Sequence, residues 1–469
     1  MKQPLFPAII AIALYLFLNA YPSSAQDNPF TLSQAVAAGL NNYQSIQAKR
    51  NYLKASSAQA QNIKNQYLPD LNASIQQAYG TANGQYGPIG PFAGGAGLSS
   101  SGPTSPVQGW DAGFGGIYLL NTDWEFISFG RFHSRVEAAN KQVSLDSANL
   151  TQEKFVQSVK IAGAYLNLLI TQRFVQNAQS NVDRAGYVQQ TVIARAKSGL
   201  NPGVDSSIAN AELSAAKLAL IQAVNREQQT LNQLCQLINI NPVVLILDTS
   251  FFHNSPASYQ TSVPVSENPE VKYYQSRIDQ SLSAENLIKK SIYPGLNLLG
   301  TFQGKGSGFD YNYNPSTDPN YSKNYFTGIN PSRYNYVFGL GIQWNIISPI
   351  KIKYQVKAQQ FITAAYQNEY DLVSVRLKDQ LLFSDQQIEN SLNSIREVPI
   401  EFRAASDAYN QKTVLYKNGL TNIVDVQQAL YSLNRAETDL SVAYINVWQA
   451  LLFKAAASGD FDLFIKQVR

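Results

Sequence analysis

Two stretches of the chain alternate apolar and polar residues with a period of two. In NYVFGLGIQWNII, Tyr336, Phe338, Leu340, Ile342, Trp344 and Ile346 share one face, while Asn335, Gly339, Gly341, Gln343 and Asn345 share the other. Upstream, Phe114, Gly116, Tyr118, Leu120, Trp124 and Phe126 oppose Asn121, Asp123 and Glu125. Such alternation, with aromatics near the ends, suits strands of a transmembrane barrel. A half-buried strand of a soluble sandwich has the same period. Around these runs the pattern turns helical. Phe155, Val159, Ala162, Leu166 and Leu169 advance in steps of four and three, which predicts a packed helical seam and makes core packing the reading for those residues.

The pattern comes twice. DWEFISFGRFHSRVEAA (Asp123 to Ala139) aligns with QWNIISPIKIKYQVKAQ (Gln343 to Gln359) at an offset of 220, pairing Trp124 with Trp344 and Ser128 with Ser348. At the same offset AKSGLNPGVDSSIAN, from Ala196, matches YKNGLTNIVDVQQAL, from Tyr416. YLPDLN (Tyr67 to Asn72) resembles IYPGLN (Ile292 to Asn297) at an offset of 225. A common offset over separated blocks marks an internal duplication.

The predicted first repeat spans 26–240, with a helix, a strand pair at 68–127, a long helix at 130–198 and a return helix at 203–240. A linker at 241–268 follows. The second repeat spans 269–469, with a helix, a strand pair at 295–347, a long helix at 350–418, a return helix at 421–455 and a C-terminal tail. Pro69 and Pro294 break helices into extended chain, Gly199 and Gly419 end the long helices, and Pro399 is expected to kink or interrupt the second of them. A helix of ~67 residues reaches ~100 Å, and the shorter helices of the first repeat, ~36 residues each, span ~108 Å end to end. In the second repeat the corresponding sum is ~83 Å, a poorer match. Antiparallel helices packed lengthwise follow. Four strands per chain cannot close a barrel, and strand edges cannot stay open in lipid. Membrane-spanning strands would therefore be shared among several copies.

Composition narrows the function. Residues 1–25 read as an export signal: Lys2, an apolar run from Ala8 to Leu18, then Ser23-Ser24-Ala25. Removing it lowers the net charge from +4 to +3, too mild and too scattered for nucleic acid. No later segment is expected to cross a bilayer as a helix, and Cys235 alone makes neither an intrachain disulfide nor a metal cluster. Charged residues are only 14% of the chain, which suggests helices facing one another or an enclosed aqueous space. His133 with Glu137 offers two metal ligands at most. GTFQGKGSG (Gly300 to Gly308) lacks phosphate-loop spacing and reads as a loop leaving a strand, with no helix after it. These features imply no enzyme activity and no cofactor.

The LPxLN segment after a helix, W-x-I-x-S opening a long helix, and GLxxxVDV at a helical hairpin, all in paired order, resemble the TolC-like outer-membrane efflux and secretion channels of Gram-negative bacteria. The resemblance spans essentially the whole chain after the signal. It implies an α+β membrane protein, a long antiparallel α-helical barrel continuing into a transmembrane β-barrel shared by three chains. It implies a homotrimer in the outer membrane extending into the periplasm, which docks a periplasmic adaptor and an inner-membrane transporter. Its role would be the passive, gated exit duct of a tripartite efflux pump or type I secretion system. Gate candidates carried over are Asp205, Asp425 and Tyr416, with Gly199, Leu200, Gly419 and Leu420 in the hairpin turns. Capping of a helix N-terminus is the alternative role for the two aspartates. Trp124, Trp344, Tyr118 and Phe338 are the expected membrane-interface aromatics. Thr421 and Gln428 stand where the family pattern has a linking arginine and a second acid. The competing reading is a secreted or periplasmic structural or adhesin-like helical rod, which needs no lipid-facing strands.

Overall fold

The structure is a computed structural model that describes residues 29–83, 107–199, 202–242, 244–260 and 263–468. The expected signal segment and Leu200 lie outside them. In chain order the elements are α1 (Leu32–Asn42), α2 (Gln44–Asn65), β1 (Asp70–Thr81), β2 (Ala112–Ile127), α3 (Arg131–Lys197), α4 (Gly203–Ile238), α5 (Pro269–Lys290), β3 (Gly295–Ser307), α6 (Tyr325–Ile329), β4 (Arg333–Gln343), α7 (Ser348–Lys417), α8 (Ile423–Ser458) and α9 (Phe461–Ile465).

The contacts resolve two compact units, and each draws on both sequence repeats. The first takes its described residues from Met1–Arg50, Ala148–Tyr273 and Tyr370–Arg469. Its main core joins Leu32 and Ala35 of α1, Ile161 to Leu169 of α3, Leu234 and Ile238 of α4, and Trp448, Leu451 and Leu452 of α8. The seam residues Ala162, Leu166 and Leu169 lie inside that core. Buried polar groups there are paired. The Tyr165 hydroxyl donates to the Phe30 carbonyl at 2.8 Å and accepts from the Asp248 amide at 3.1 Å, and burial pushes its pKa up to about 12. The Trp448 indole donates to the carbonyls of Phe251 and Asn254 at 3.1 and 3.2 Å.

Several expectations need correction. The first helix is two helices. Thr31 caps α1 in a capping box with Gln34, but Tyr43 is extended (φ −70°, ψ 123°) and α2 restarts at Gln44. Gly39, Asn41 and Asn42 are weak helix formers placed just before that break. Conversely, α7 runs uninterrupted through Pro399, with buried residues from Val373 to Ile388 before it and Tyr409 and Tyr416 after it. Packing on both sides holds the helix across the missing amide. One window in α8 is apolar enough to span a bilayer by length and composition, contrary to the sequence reading; 61% of it is buried, so it is a core helix.

The second unit takes its residues from Asn51–Ser147 and Tyr274–Glu369. Among the described residues it holds an antiparallel four-stranded sheet in the order β1-β2-β3-β4. Direct cross-strand partners lie on the same side of a sheet. The register Ile75↔Tyr118↔Gly304↔Tyr334 and Ala73↔Leu120↔Phe302↔Tyr336 therefore defines one face. Leu71, Ile75, Tyr79, Phe338, Leu340 and Ile342 make it apolar and exposed. The opposite face carries Asn72, Ser74, Asn121, Asp123, Thr301 and Gln303. β3 extends to Ser307, so the GTFQGKGSG segment is almost wholly strand, and the connection after it contains α6. β4 stops at Gln343, one residue before Trp344. There the Asn345 side chain accepts from the Ile347 amide at 3.2 Å and its carbonyl from the Ser348 amide at 3.0 Å, turning the chain into α7.

Candidate functional site

The two helical hairpins are built alike. α3 ends at Gly199 with φ +71°, and α7 ends at Gly419 with φ +76°, the left-handed conformation that favours glycine after a helix. Leu420 follows exposed, its amide donating to the Leu415 carbonyl at 2.9 Å. The hairpins meet in a second core within the first unit. Ala185, Val188 and Val192 of α3 and Ala209 and Ala216 of α4 join Tyr409 and Tyr416 of α7 and Ile423, Val426, Leu430 and Leu433 of α8. Tyr416 is 3% exposed and belongs to this core.

Asp205 and Asp425 both sit in the first turn of their return helices. Asp205 is half-buried, and its amide donates to the Pro202 carbonyl at 3.1 Å. At Asp425 the side-chain oxygen of Asn422 caps the helix, accepting from the Asp425 amide at 3.0 Å. The cap is therefore Asn422, and the Asp425 carboxylate is engaged elsewhere. It accepts from Thr421 Oγ1 at 2.5 Å and from Lys412 Nζ at 2.9 Å. The Thr421 hydroxyl and then Lys412 hold its pKa below the ordinary carboxylate value. The place where an arginine was expected thus carries a hydroxyl that fixes the aspartate within its own hairpin.

Polar links also run from one hairpin to the other. Arg195 of α3 donates to the Lys417 carbonyl at 2.7 Å, and its guanidinium lies 5.5 Å from the Tyr416 ring centroid. The Lys417 ammonium in turn donates to the Tyr187 hydroxyl and lies 4.7 Å from that ring's centroid. Farther along, Arg184 grips Glu437 with two donors at 2.8 and 2.6 Å and donates to Asn434 at 2.9 Å. That fork is half-buried, which makes it the firmest of these links.

The sequence comparisons find the family described as "Outer membrane efflux protein" over residues 36–239. That match covers less than half of the chain and makes residues 36–239 similar to the family. No curated protein matches its sequence. The fold resembles solved outer-membrane channels along nearly all its length. The outer membrane protein VceC of Vibrio cholerae is 16% identical, with 91% of this chain and 96% of that one covered and a TM-score of 0.71. The Neisseria gonorrhoeae MtrE outer membrane channel in its open state is 17% identical, at 91% and 88% coverage and the same TM-score. The Campylobacter jejuni CmeC outer membrane channel is 12% identical, at 92% and 85% coverage, also with a TM-score of 0.71.

The family match over residues 36–239 and the likeness in fold to solved outer-membrane channels both agree with an outer-membrane channel protein. The apolar face of the sheet is exposed along Leu71, Ile75 and Leu340. Tyr118 and Phe338 stand on that face, Phe338 72% exposed. The two tryptophans have a further task that sequence reasoning missed. Trp124 Nε1 donates to the Tyr67 carbonyl at 2.7 Å, and Trp344 Nε1 to the Ile292 carbonyl at 3.0 Å. Each acceptor immediately precedes its LP or YP dipeptide, so the same bond pins helix end to strand end in both repeats. The offsets of 220 and 225 already paired these residues; only the bond between them was hidden. The links of Arg195, Lys417, Arg184 and Glu437 were also missed, although Arg195, Lys197 and Lys417 stand in the last turns of their helices, where cations are favoured.

Proposed function

We propose that three copies of this chain form one gated, passive duct, the outer-membrane exit of a tripartite efflux pump or type I secretion system. The observation that carries this reading is the four-stranded sheet. It has a broad apolar face for lipid, a polar face opposite, and two long edges, β1 and β4, without a partner strand among the described residues. Open edges are not tolerated in hydrocarbon, so the edges of one copy pair with those of the next. The polar face then lines an aqueous passage, and the helices lie on the periplasmic side, where an adaptor and an inner-membrane transporter engage them. A helical rod without channel activity leaves the apolar face unexplained.

The hairpins are the proposed gate. Asp205 and Asp425, repeated in each copy, would ring the passage with carboxylates and attract cations. The Lys412 and Thr421 contacts temper the Asp425 charge, and the Arg195, Lys417 and Tyr187 links, with the buried Tyr416 ring beside the Arg195 guanidinium, supply the closing contacts. That MtrE was solved in an open state supports a gated reading of this fold. Outer-membrane fractions resolved on gels without and with heating test the assembly. A band at three times the chain mass that collapses to a monomer on heating is expected; a soluble periplasmic monomer would overturn the proposal.

A further inference from the structure

The connection between β3 and β4 folds back over the outside of the sheet. Its base is fixed by three backbone bonds. The Gly308 amide donates to the Phe114 carbonyl at 2.8 Å, the Ser322 amide to the Gly308 carbonyl at 2.7 Å, and the Ser332 amide to the Lys305 carbonyl at 2.9 Å. Asn324 then caps α6, accepting from the Phe326 amide at 2.8 Å.

The face that α6 covers is settled by register. The Tyr325 hydroxyl donates to Gln77 Oε1 at 2.7 Å, and its ring meets Phe114 edge-on at 5.2 Å. Gln77 pairs with Gly116 and Gly116 with Gly306, while Phe114 pairs with Tyr79. All of these lie on the side of Tyr334, Tyr336 and Phe338, the lipid-facing side. Glycines make the approach possible. A Cβ on Gly116 would stand 2.8 Å from the Ile329 carbonyl oxygen, one on Gly306 would stand 2.6 Å from that of Asn330, and one on Gly328 would stand 2.4 Å from that of Phe114. Backbone lies directly on backbone, so α6 is seated on the sheet rather than hung from it.

We propose that this segment, Gly308–Ser332, is an interfacial strap: α6 lies at the headgroup boundary of the outer leaflet with Phe326 as its anchor in lipid. The inference rests on the outer-membrane reading above. Phe326 is 75% exposed although its neighbours Tyr325 and Gly328 are packed against the sheet. Its ring adjoins that of Tyr325, and with Tyr79, Tyr334 and Tyr336 it continues the apolar face into an aromatic border. Exposed polar groups flank it: Lys323 and Asn324 before, Asn330 and Ser332 after. Aromatic rings beside cationic and amide groups at the end of a lipid-facing sheet match the chemistry of a membrane interface, where lysine meets anionic headgroups. The strap would fix the depth of the strands in the bilayer.

Quenching of a fluorophore by lipid tests this. The full chain carries Cys235→Ser, removing its only and buried cysteine. Single cysteines replace Phe326, the lipid-facing Leu340, or Gln303 on the polar face, each labelled with NBD. The assembled protein is placed in vesicles of phosphatidylcholine and phosphatidylglycerol with spin labels near the headgroup or near the chain end. The label at 326 should lose fluorescence chiefly to headgroup-proximal spin labels, that at 340 to deeper ones, and that at 303 to aqueous iodide. In the chain that also carries Gly328→Val, the label at 326 should pass from lipid quenching to iodide quenching. If 340 is quenched by lipid while 326 answers only to iodide, the strap is overturned and the channel stands. If 340 also escapes lipid, the outer-membrane reading falls, and the strap with it.

Discussion

The Asp425 carboxylate answers first to its own hairpin. Thr421 and Lys412 both donate to one of its oxygens, at 2.5 and 2.9 Å, and their donation holds its pKa down. A carboxylate with a lowered pKa in the folded state adds stability above its unfolded value, about 3.9. That contribution is lost as the pH falls below ~4 and through the folded value. Thr421→Val should therefore raise the Asp425 pKa toward the ordinary range, read from carboxylate chemical shifts across a pH titration. An unchanged titration would show that the hydroxyl contact does not form. None of this was legible beforehand. The sequence places Asp425 at a helix start, where capping is the default, and only the structure shows Asn422 taking that role.

At the scale of elements, what was legible followed periodicity and repetition. The alternation at 335–346 and its earlier counterpart announced strands, and the paired glycines announced helix ends with positive φ. What stayed hidden joins segments far apart in sequence through single polar bonds. Arg195 reaches the Lys417 carbonyl and Arg184 reaches Glu437, with no period to betray either. The strap was hidden for another reason. Its seat depends on Gly116, read in sequence as one position of a strand face, and on Gly306 and Gly328, read only as loop composition. The tryptophan bonds offer a test at this scale. Trp124→Phe and Trp344→Phe each remove one hydrogen bond, worth ~1 kcal/mol in typical cases. Each should lower the thermal midpoint of the purified protein by a few degrees, with the two effects similar in size because the bond is the same in both repeats. A midpoint unchanged in both variants would deny the pinning role.

On the scale of the whole molecule, the α+β class and the channel character were readable from the sequence because duplication, strand alternation and helical runs occur in one order. The family match over residues 36–239 agrees with that reading, and the fold resembles solved channels over more than nine-tenths of the chain. The proposed assembly follows only by exclusion: a membrane-spanning sheet needs more strands than the four among the described residues. The proposed duct is therefore a property of several copies, and the proposed gate lies where the two hairpins of each copy share a core. Single-channel recording in planar bilayers tests the account most directly. The purified protein should give discrete conductance steps, and the chain carrying Asp205→Ala with Asp425→Ala should give larger steps that divalent cations block less. Bilayers that stay silent with correctly assembled protein would contradict the account.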